Sequence, residues 1–325
     1  MSEEILRVEN ITKSYDDRVV LKNVNLDIKS GEILGVIGSS GSGKTTFLNM
    51  LIGFLDSDSG DIKFRQKNLI AGSEENSEVF TSVYKKQRYF KTMYGFASQM
   101  PSFYEKLTVK ENLVYFGELY GLSKESLNAN IKTLLDLLNL SKYSDMLGKN
   151  LSGGMERRLD IACALIHNPE ILILDEPTAD LDPVLRRNIW ELIRKINRRG
   201  TTVILSSHHL NELETLCDRI AIIKDSTILD IGSADELKKK LYKSHEVVVE
   251  SYPGKYDELR SALNKKFGKK VKIKISDSHL SLSTTKPESI INDVISIFEK
   301  NEEKILDLRL GKPGLDQLFI SLQEK

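Results

Sequence analysis

Over the first 37 positions apolar and polar residues alternate with period two, in runs at 5–8, 13–15, 19–24, 26–28 and 33–37 that predict short strands. A glycine-rich turn follows, and apolar positions at helical spacing then run from 45 to about 54. Residues 61–70 read as another hairpin arm. Between 72 and 91 the chain is polar, with acids first (Glu74, Glu75, Glu78) and bases later (Lys85, Lys86, Arg88, Lys91), which predicts a solvated surface insertion. From 108 to 167 the period becomes helical. Thr108 with Glu111 three residues on forms a capping box for a helix reaching 120. Residues 127–140 and 154–166 are the next two helices. Strand and helix then alternate at 171–174, 184–198, 202–206, 210–217 and 220–223, the order of a parallel sheet with helical crossovers.

Beyond about residue 225 the chain becomes lysine-rich and the pattern resets. Strand, helix, strand, strand, helix, strand are read at 246–250, 256–267, 270–275, 280–284, 288–300 and 305–310. That order predicts a small ferredoxin-like α+β unit. Gly311-Lys312-Pro313 makes a turn, and an amphipathic segment at 315–322 ends the pattern. A length of 325 residues accommodates two units, expected at 1–225 and 226–325.

Composition narrows the function classes. Lys+Arg and Asp+Glu are both 47, so no basic surplus suggests phosphate-backbone contacts, and nucleic acid is not an expected partner. No apolar run approaches the roughly 18–20 residues that span a bilayer. The first residues carry acid where a signal peptide needs a basic start, so none is expected. Cys163 and Cys217 lie far apart in apolar periodic segments and read as small hydrophobes of a reducing compartment.

Two motifs carry chemistry. Gly38-Ser39-Ser40-Gly41-Ser42-Gly43-Lys44-Thr45 fits G-x-x-x-x-G-K-[ST] between an apolar strand and a helix, with Thr46 next in that helix. Glycines let backbone N–H groups converge on phosphate oxygens, the helix N-terminus adds positive potential, and Lys44 supplies a full charge to the β- and γ-phosphates. Thr45 offers a hydroxyl to Mg²⁺. The second motif is the strand 171–174 followed by Asp175-Glu176. Four consecutive apolar residues suit a strand buried on both faces, and Asp175 emerges at its C-terminal end, where open α/β sheets bind ligands. Its carboxylate suits the water shell of a metal ion, and Glu176 suits polarising an attacking water.

Leu151-Ser152-Gly153-Gly154-Met155 precedes the third helix, and alone Ser152 reads as a plain N-cap. The order phosphate loop, Gln99, Leu-Ser-Gly-Gly, apolar strand with Asp-Glu, then His208 resembles the ABC ATPases over about residues 3–225. The resemblance implies a P-loop NTPase fold with a parallel-sheet core, an N-terminal antiparallel β subdomain and a helical subdomain at about 100–165. It implies that Tyr15 stacks on adenine, that Gln99 touches Mg²⁺ and senses a transmembrane partner, and that His208, rather than the adjacent His209, contacts the γ-phosphate. The remaining histidines read as surface or packing residues. Ala179-Asp180-Leu181-Asp182 matches the loop linking two active sites. Ser152, Gly153 and Gly154 are expected to close on the nucleotide of a second ATPase subunit.

Met155 departs from the family's usual glutamine, Ser98 from its usual proline, and the 72–91 segment is enlarged. Ser-Gly-Gly-Met followed by Glu156-Arg157-Arg158-Leu159-Asp160 resembles the drug- and polysaccharide-exporter branch, as does the ending Leu315-Asp316-Gln317-Leu318-Phe319. The expectation is an ATP- and Mg²⁺-dependent ATPase subunit of an exporter, peripheral on the cytoplasmic face of the membrane beside an integral permease. The alternatives are an importer ATPase with a regulatory C-terminal domain, a non-transport ABC protein, and a nucleotide-binding module without catalysis.

Overall fold

The computed structural model describes residues 3–67, 78–208, 210–241, 245–268, 271–276 and 278–311. Two long strands open the chain, β1 (Glu4–Tyr15) and β2 (Arg18–Lys29), paired antiparallel. The two predicted pieces 5–8 and 13–15 are thus one strand, bent at register shifts near Ile11. The wholly buried β3 (Ile33–Ile37) leads through the phosphate loop into α1 (Lys44–Leu51). The chain returns for β4 (Ser59–Lys67) and β5 (Glu78–Ser82), which complete an antiparallel sheet of order β2-β1-β4-β5.

Here the expected surface insertion is corrected. Residues 68–77 lie outside the described residues, but 78–91 is built into the fold through β5 and a one-turn helix, α2 (Gln87–Phe90). Val83 and Phe90 are fully buried, and the Phe90 ring lies 5.0 Å from Phe64 and 5.1 Å from Tyr94. Lys85, Lys86 and Arg88 point outward and dominate the sequence pattern, hiding the few apolar anchors between them.

A short strand, β6 (Tyr94–Ala97), precedes the helices α3 (Val109–Leu119), α4 (Lys124–Leu137) and α5 (Gly153–Leu165). The Thr108–Glu111 capping box is formed as expected. Alternation resumes with β7 (Ile171–Leu174), α6 (Pro183–Asn197), β8 (Thr202–Ser207), α7 (Leu210–Leu216), β9 (Arg219–Lys224) and β10 (Thr227–Gly232). The resulting sheet has the order β10-β9-β3-β8-β7-β6, parallel from β9 to β6 with β10 antiparallel at its edge. β6 has four residues and a central glycine, too little for a periodicity signal. Gly95 is required by packing, because a Cβ there would stand 2.0 Å from the Ala164 carbonyl of α5. Ile28, Phe64, Phe47, Ile171 and Ile204 join both sheets and α1 in one core.

The chain divides into two compact units, Met1–Ser233 and Ala234–Lys325. The sequence boundary at 225 falls short of this division because β10 pairs with β9. The second unit comprises α8 (Ala234–Leu241), β11 (His245–Tyr252), α9 (Tyr256–Phe267), β12 (Lys272–Ser276), β13 (His279–Thr284), α10 (Ile291–Lys300) and β14 (Lys304–Gly311). Its all-antiparallel order β12-β13-β11-β14 is the split β-α-β arrangement read from the sequence. Val247, Val249, Leu259, Leu263, Val294 and Phe298 form its core. Buried Glu303 accepts hydrogen bonds from Ser251 Oγ (2.7 Å) and the N–H groups of Gly254 (2.8 Å) and Lys255 (2.7 Å), fastening the β11–α9 turn to the start of β14. The segment 315–322 lies outside the described residues.

His167 is a packing residue, as expected. Its ring stacks on Tyr120 at 3.7 Å, and Nε2 lies 3.0 Å from the Tyr94 carbonyl, while buried Nδ1 has no partner among the described residues. Nε2 therefore donates, and protonating Nδ1 would place a charge where nothing receives it. Burial lowers the imidazole to about 4 despite the opposing Tyr94 bond. A depressed histidine gives stability that is full above its unfolded value near 6.5 and is lost as pH falls toward 4. Urea unfolding at pH 7 and pH 4.5 should show the wild type losing at most about 3 kcal/mol more than His167→Phe over this interval. Parallel losses in the two proteins would contradict the assignment.

Candidate active site

β3 ends at Ile37, and the loop 38–43 turns tightly before α1 begins at Lys44. Gly43 caps α1 with φ +100°, and a Cβ there would meet Val20 Cγ1 at 2.9 Å, so the turn excludes side chains. Arg18 Nη2 donates to the Gly41 carbonyl at 3.3 Å. Arg18 pairs with Tyr15 across the β1–β2 turn, so the tip that carries half-exposed Tyr15 adjoins this loop. Buried Lys44 Nζ donates to the carbonyls of Gly38 (3.0 Å) and Ser39 (3.3 Å). Ser42 Oγ is buried and finds no hydrogen-bond partner among the described residues, an orphan polar atom in the phosphate loop. Thr45 and Thr46 occupy the first turn of α1, Thr45 exposed.

The carboxylates stand opposite. β7 is buried throughout, and Asp175 at its end is only 2% exposed. Ser206 Oγ on β8 donates to Asp175 Oδ1 at 2.5 Å and accepts from the Glu176 N–H at 2.9 Å. One hydroxyl thus fixes a side chain and the next residue's backbone. Glu176 has φ +48°, unusual for a residue with a Cβ and held by its surroundings. Its Oε1 lies 3.8 Å from Lys44 Nζ and its Oε2 2.9 Å from His208 Nδ1. With Glu176 ionised, Nδ1 carries the proton and donates. His209 lies outside the described residues.

Lys44, Asp175, Glu176 and His208 are therefore brought together with the phosphate loop. Gln99 is exposed just beyond β6 and joins through its backbone: Arg157 Nη2 donates to its carbonyl at 2.9 Å and to that of Glu176 at 3.3 Å. Ser152 and Gly153 are exposed at the start of α5, and Gly154 is buried where a Cβ would meet Leu185 Cδ2 at 2.9 Å. Among the described residues, the hydrogen bonds of Lys44, Asp175 and Glu176 do not include these three. Ser152 is the N-cap of α5, yet its side chain makes no capping bond. In the loop after Glu176, Thr178 Oγ1 donates to Glu212 Oε2 of α7 at 3.0 Å, and Arg186 of α6 donates from Nε to the Leu181 carbonyl at 2.7 Å and from Nη1 to Glu212 Oε1 at 3.4 Å, tying the loop to α6 and α7.

Ser206, Arg18 and Arg157 were not singled out from the sequence. Ser206 alone had a legible signal, since it lies two residues before His208 on a strand. The other two act on carbonyls across the fold, which no local pattern encodes. Ser206→Ala would leave Asp175 Oδ1 and the Glu176 N–H unpaired in a buried place, at a cost of about 1–3 kcal/mol. Urea unfolding should register that loss; an unchanged midpoint would mean that the hydroxyl does not hold the two groups.

The family described as ABC transporter matches residues 21–179, and one described as an AAA domain matches 148–214. The chain is 29% identical over 320 residues to the linearmycin resistance ATP-binding protein LnrL of Bacillus subtilis (strain 168), covering 98% of each protein. It is 32% identical over 263 residues to the Nod factor export ATP-binding protein I of Bradyrhizobium diazoefficiens, covering 81% of each. Among solved structures, an ATP binding subunit of an ABC transporter superposes with a TM-score of 0.62 at 25% identity, over 73% of this chain and 92% of that one. A nucleotide-free ATP-binding cassette gives 0.61 at 27% identity, over 73% and 94%.

Proposed function

This chain belongs to the ATP-binding proteins of ABC transporters, and we propose on that premise that it powers an exporter from the cytoplasmic face of the membrane. The family binds ATP and hydrolyses it for transport. The observation that carries the catalytic reading is the convergence of Lys44, Glu176 and His208, at 3.8 and 2.9 Å, beside the phosphate loop. In this reading the N–H groups of 38–45 and Lys44 hold the phosphates, and Ser42 Oγ gains the partner it lacks. Tyr15 receives the adenine. Glu176 takes the proton of the attacking water, and His208 fixes the Glu176 carboxylate while contacting the γ-phosphate.

The oxygen donors suit Mg²⁺, a hard cation that usually takes one or two carboxylates and completes its shell with other oxygens, phosphates and water. Thr45, Gln99 and Asp175 are the assigned donors, and the ion would supply charge neutralisation at the β- and γ-phosphates. Among the described residues, no three acidic, histidine or cysteine side chains form a cage of their own.

Two partners complete the proposal. Ser152, Gly153 and Gly154 present an uncapped helix start to the nucleotide on a second ATPase subunit, and the 179–182 loop lies between the two sites. A separate integral permease provides the membrane path, with Gln99 and the helices of 100–165 facing it. No helix of the described residues is long and apolar enough to cross a membrane. Export is favoured over import by the named roles of the relatives in Nod factor export and linearmycin resistance.

Removing a general base costs about 10²–10⁴ in rate. Glu176→Gln should retain ATP binding, lose turnover by that factor and accumulate as a closed dimer with ATP in gel filtration. Hydrolysis at the wild-type rate would overturn the assignment.

A further inference from the structure

Arg157 lies one turn into α5 with only 7% of its surface exposed. Its guanidinium reaches three backbone carbonyls: Nη1 donates to Ser98 at 2.7 Å, and Nη2 to Gln99 at 2.9 Å and to Glu176 at 3.3 Å. Asp160, three residues on and fully buried, stands 3.7 Å from Nη1. Its Oδ1 accepts from the Ser102 N–H at 2.8 Å and the Ser102 hydroxyl at 2.7 Å. One helix therefore grips both ends of the 98–102 loop, the cation taking carbonyls and the anion taking donors.

Such a pair is expensive as a stability device. Burial lowers Arg157 and raises Asp160 against their mutual attraction, and a well-packed apolar pair of equal volume is often as stable or more so. What the guanidinium adds is geometry, since its planar fork of donors can span three acceptors that an ammonium cannot. One of these acceptors belongs to Glu176, whose left-handed backbone must be held in place.

We propose that Arg157 is a positioning residue of the ATPase, fixing the backbone of Gln99 and Glu176 to α5. The start of α5, which serves the second subunit's nucleotide, and the catalytic carboxylate of the same chain then move as one body. This rests on the reading of Glu176 as the general base.

The test measures kcat, KM for ATP, binding of a fluorescent ATP analogue and thermal midpoint on the full chain, for wild type, Arg157→Met, Arg157→Lys, the double variant Arg157→Met/Asp160→Asn, and Glu176→Gln. The double variant removes both buried charges while the amide oxygen introduced by Asp160→Asn still accepts from Ser102, so it remains informative should the single variant not fold. The expected result is a fall in kcat of at least about tenfold with KM and analogue affinity within about threefold, and with little rescue by lysine. A folded double variant with kcat within about twofold of wild type would overturn the proposal, as would full rescue by lysine or a loss confined to KM. An active Arg157 variant beside an inactive Glu176→Gln defeats this proposal alone. An active Glu176→Gln defeats the reading of the base and this proposal with it.

Discussion

Parallel register places Ile37 beside Ser207 and Leu174 beside Leu205, so that β3, β8 and β7 end at nearly one level. The strands are buried on both faces, and their polar continuations can be accommodated only where the sheet stops. The phosphate loop, Asp175-Glu176 and His208 are those continuations. Residues far apart in the chain thus meet without any of them needing to attract another across solvent. A slip of one residue in either pairing would turn Ser206 away from Asp175 and undo the arrangement.

Charge at that edge is organised by hydrogen bonds more than by ion pairs. Lys44 is held by two loop carbonyls and stands 3.8 Å from Glu176, beyond hydrogen-bonding distance. Asp175 keeps its place through Ser206, and the Glu176 backbone through Ser206 and Arg157. The ammonium is thereby poised beside the loop while the acidic groups keep fixed positions. Such preorganisation leaves little rearrangement for a reaction at this edge.

Much of this was legible in the sequence because its signals are local. The phosphate loop declares itself by spacing, β7 by four consecutive apolar residues, and α3 by the Thr108–Glu111 box. The second unit was readable as strand and helix order, which its sheet follows. What escaped was set by tertiary packing. β6 needed the approach of Ala164 to explain Gly95, and β5 with Phe90 was masked by the surrounding lysines. Ser206, Arg18 and Arg157 act on groups that only the fold brings near. Their partners are mainly backbone atoms, which carry no signature in a sequence.

The central claim is that residues 38–45 grip the phosphates of ATP and that a second subunit completes the site. A crystal structure of the full chain with Mg-ATP tests it most directly. The account predicts Lys44 Nζ on phosphate oxygens rather than on the carbonyls of Gly38 and Ser39, with the partner subunit's Ser152 on the same nucleotide. ATP bound away from the 38–45 loop, or fully enclosed by one chain alone, would contradict it.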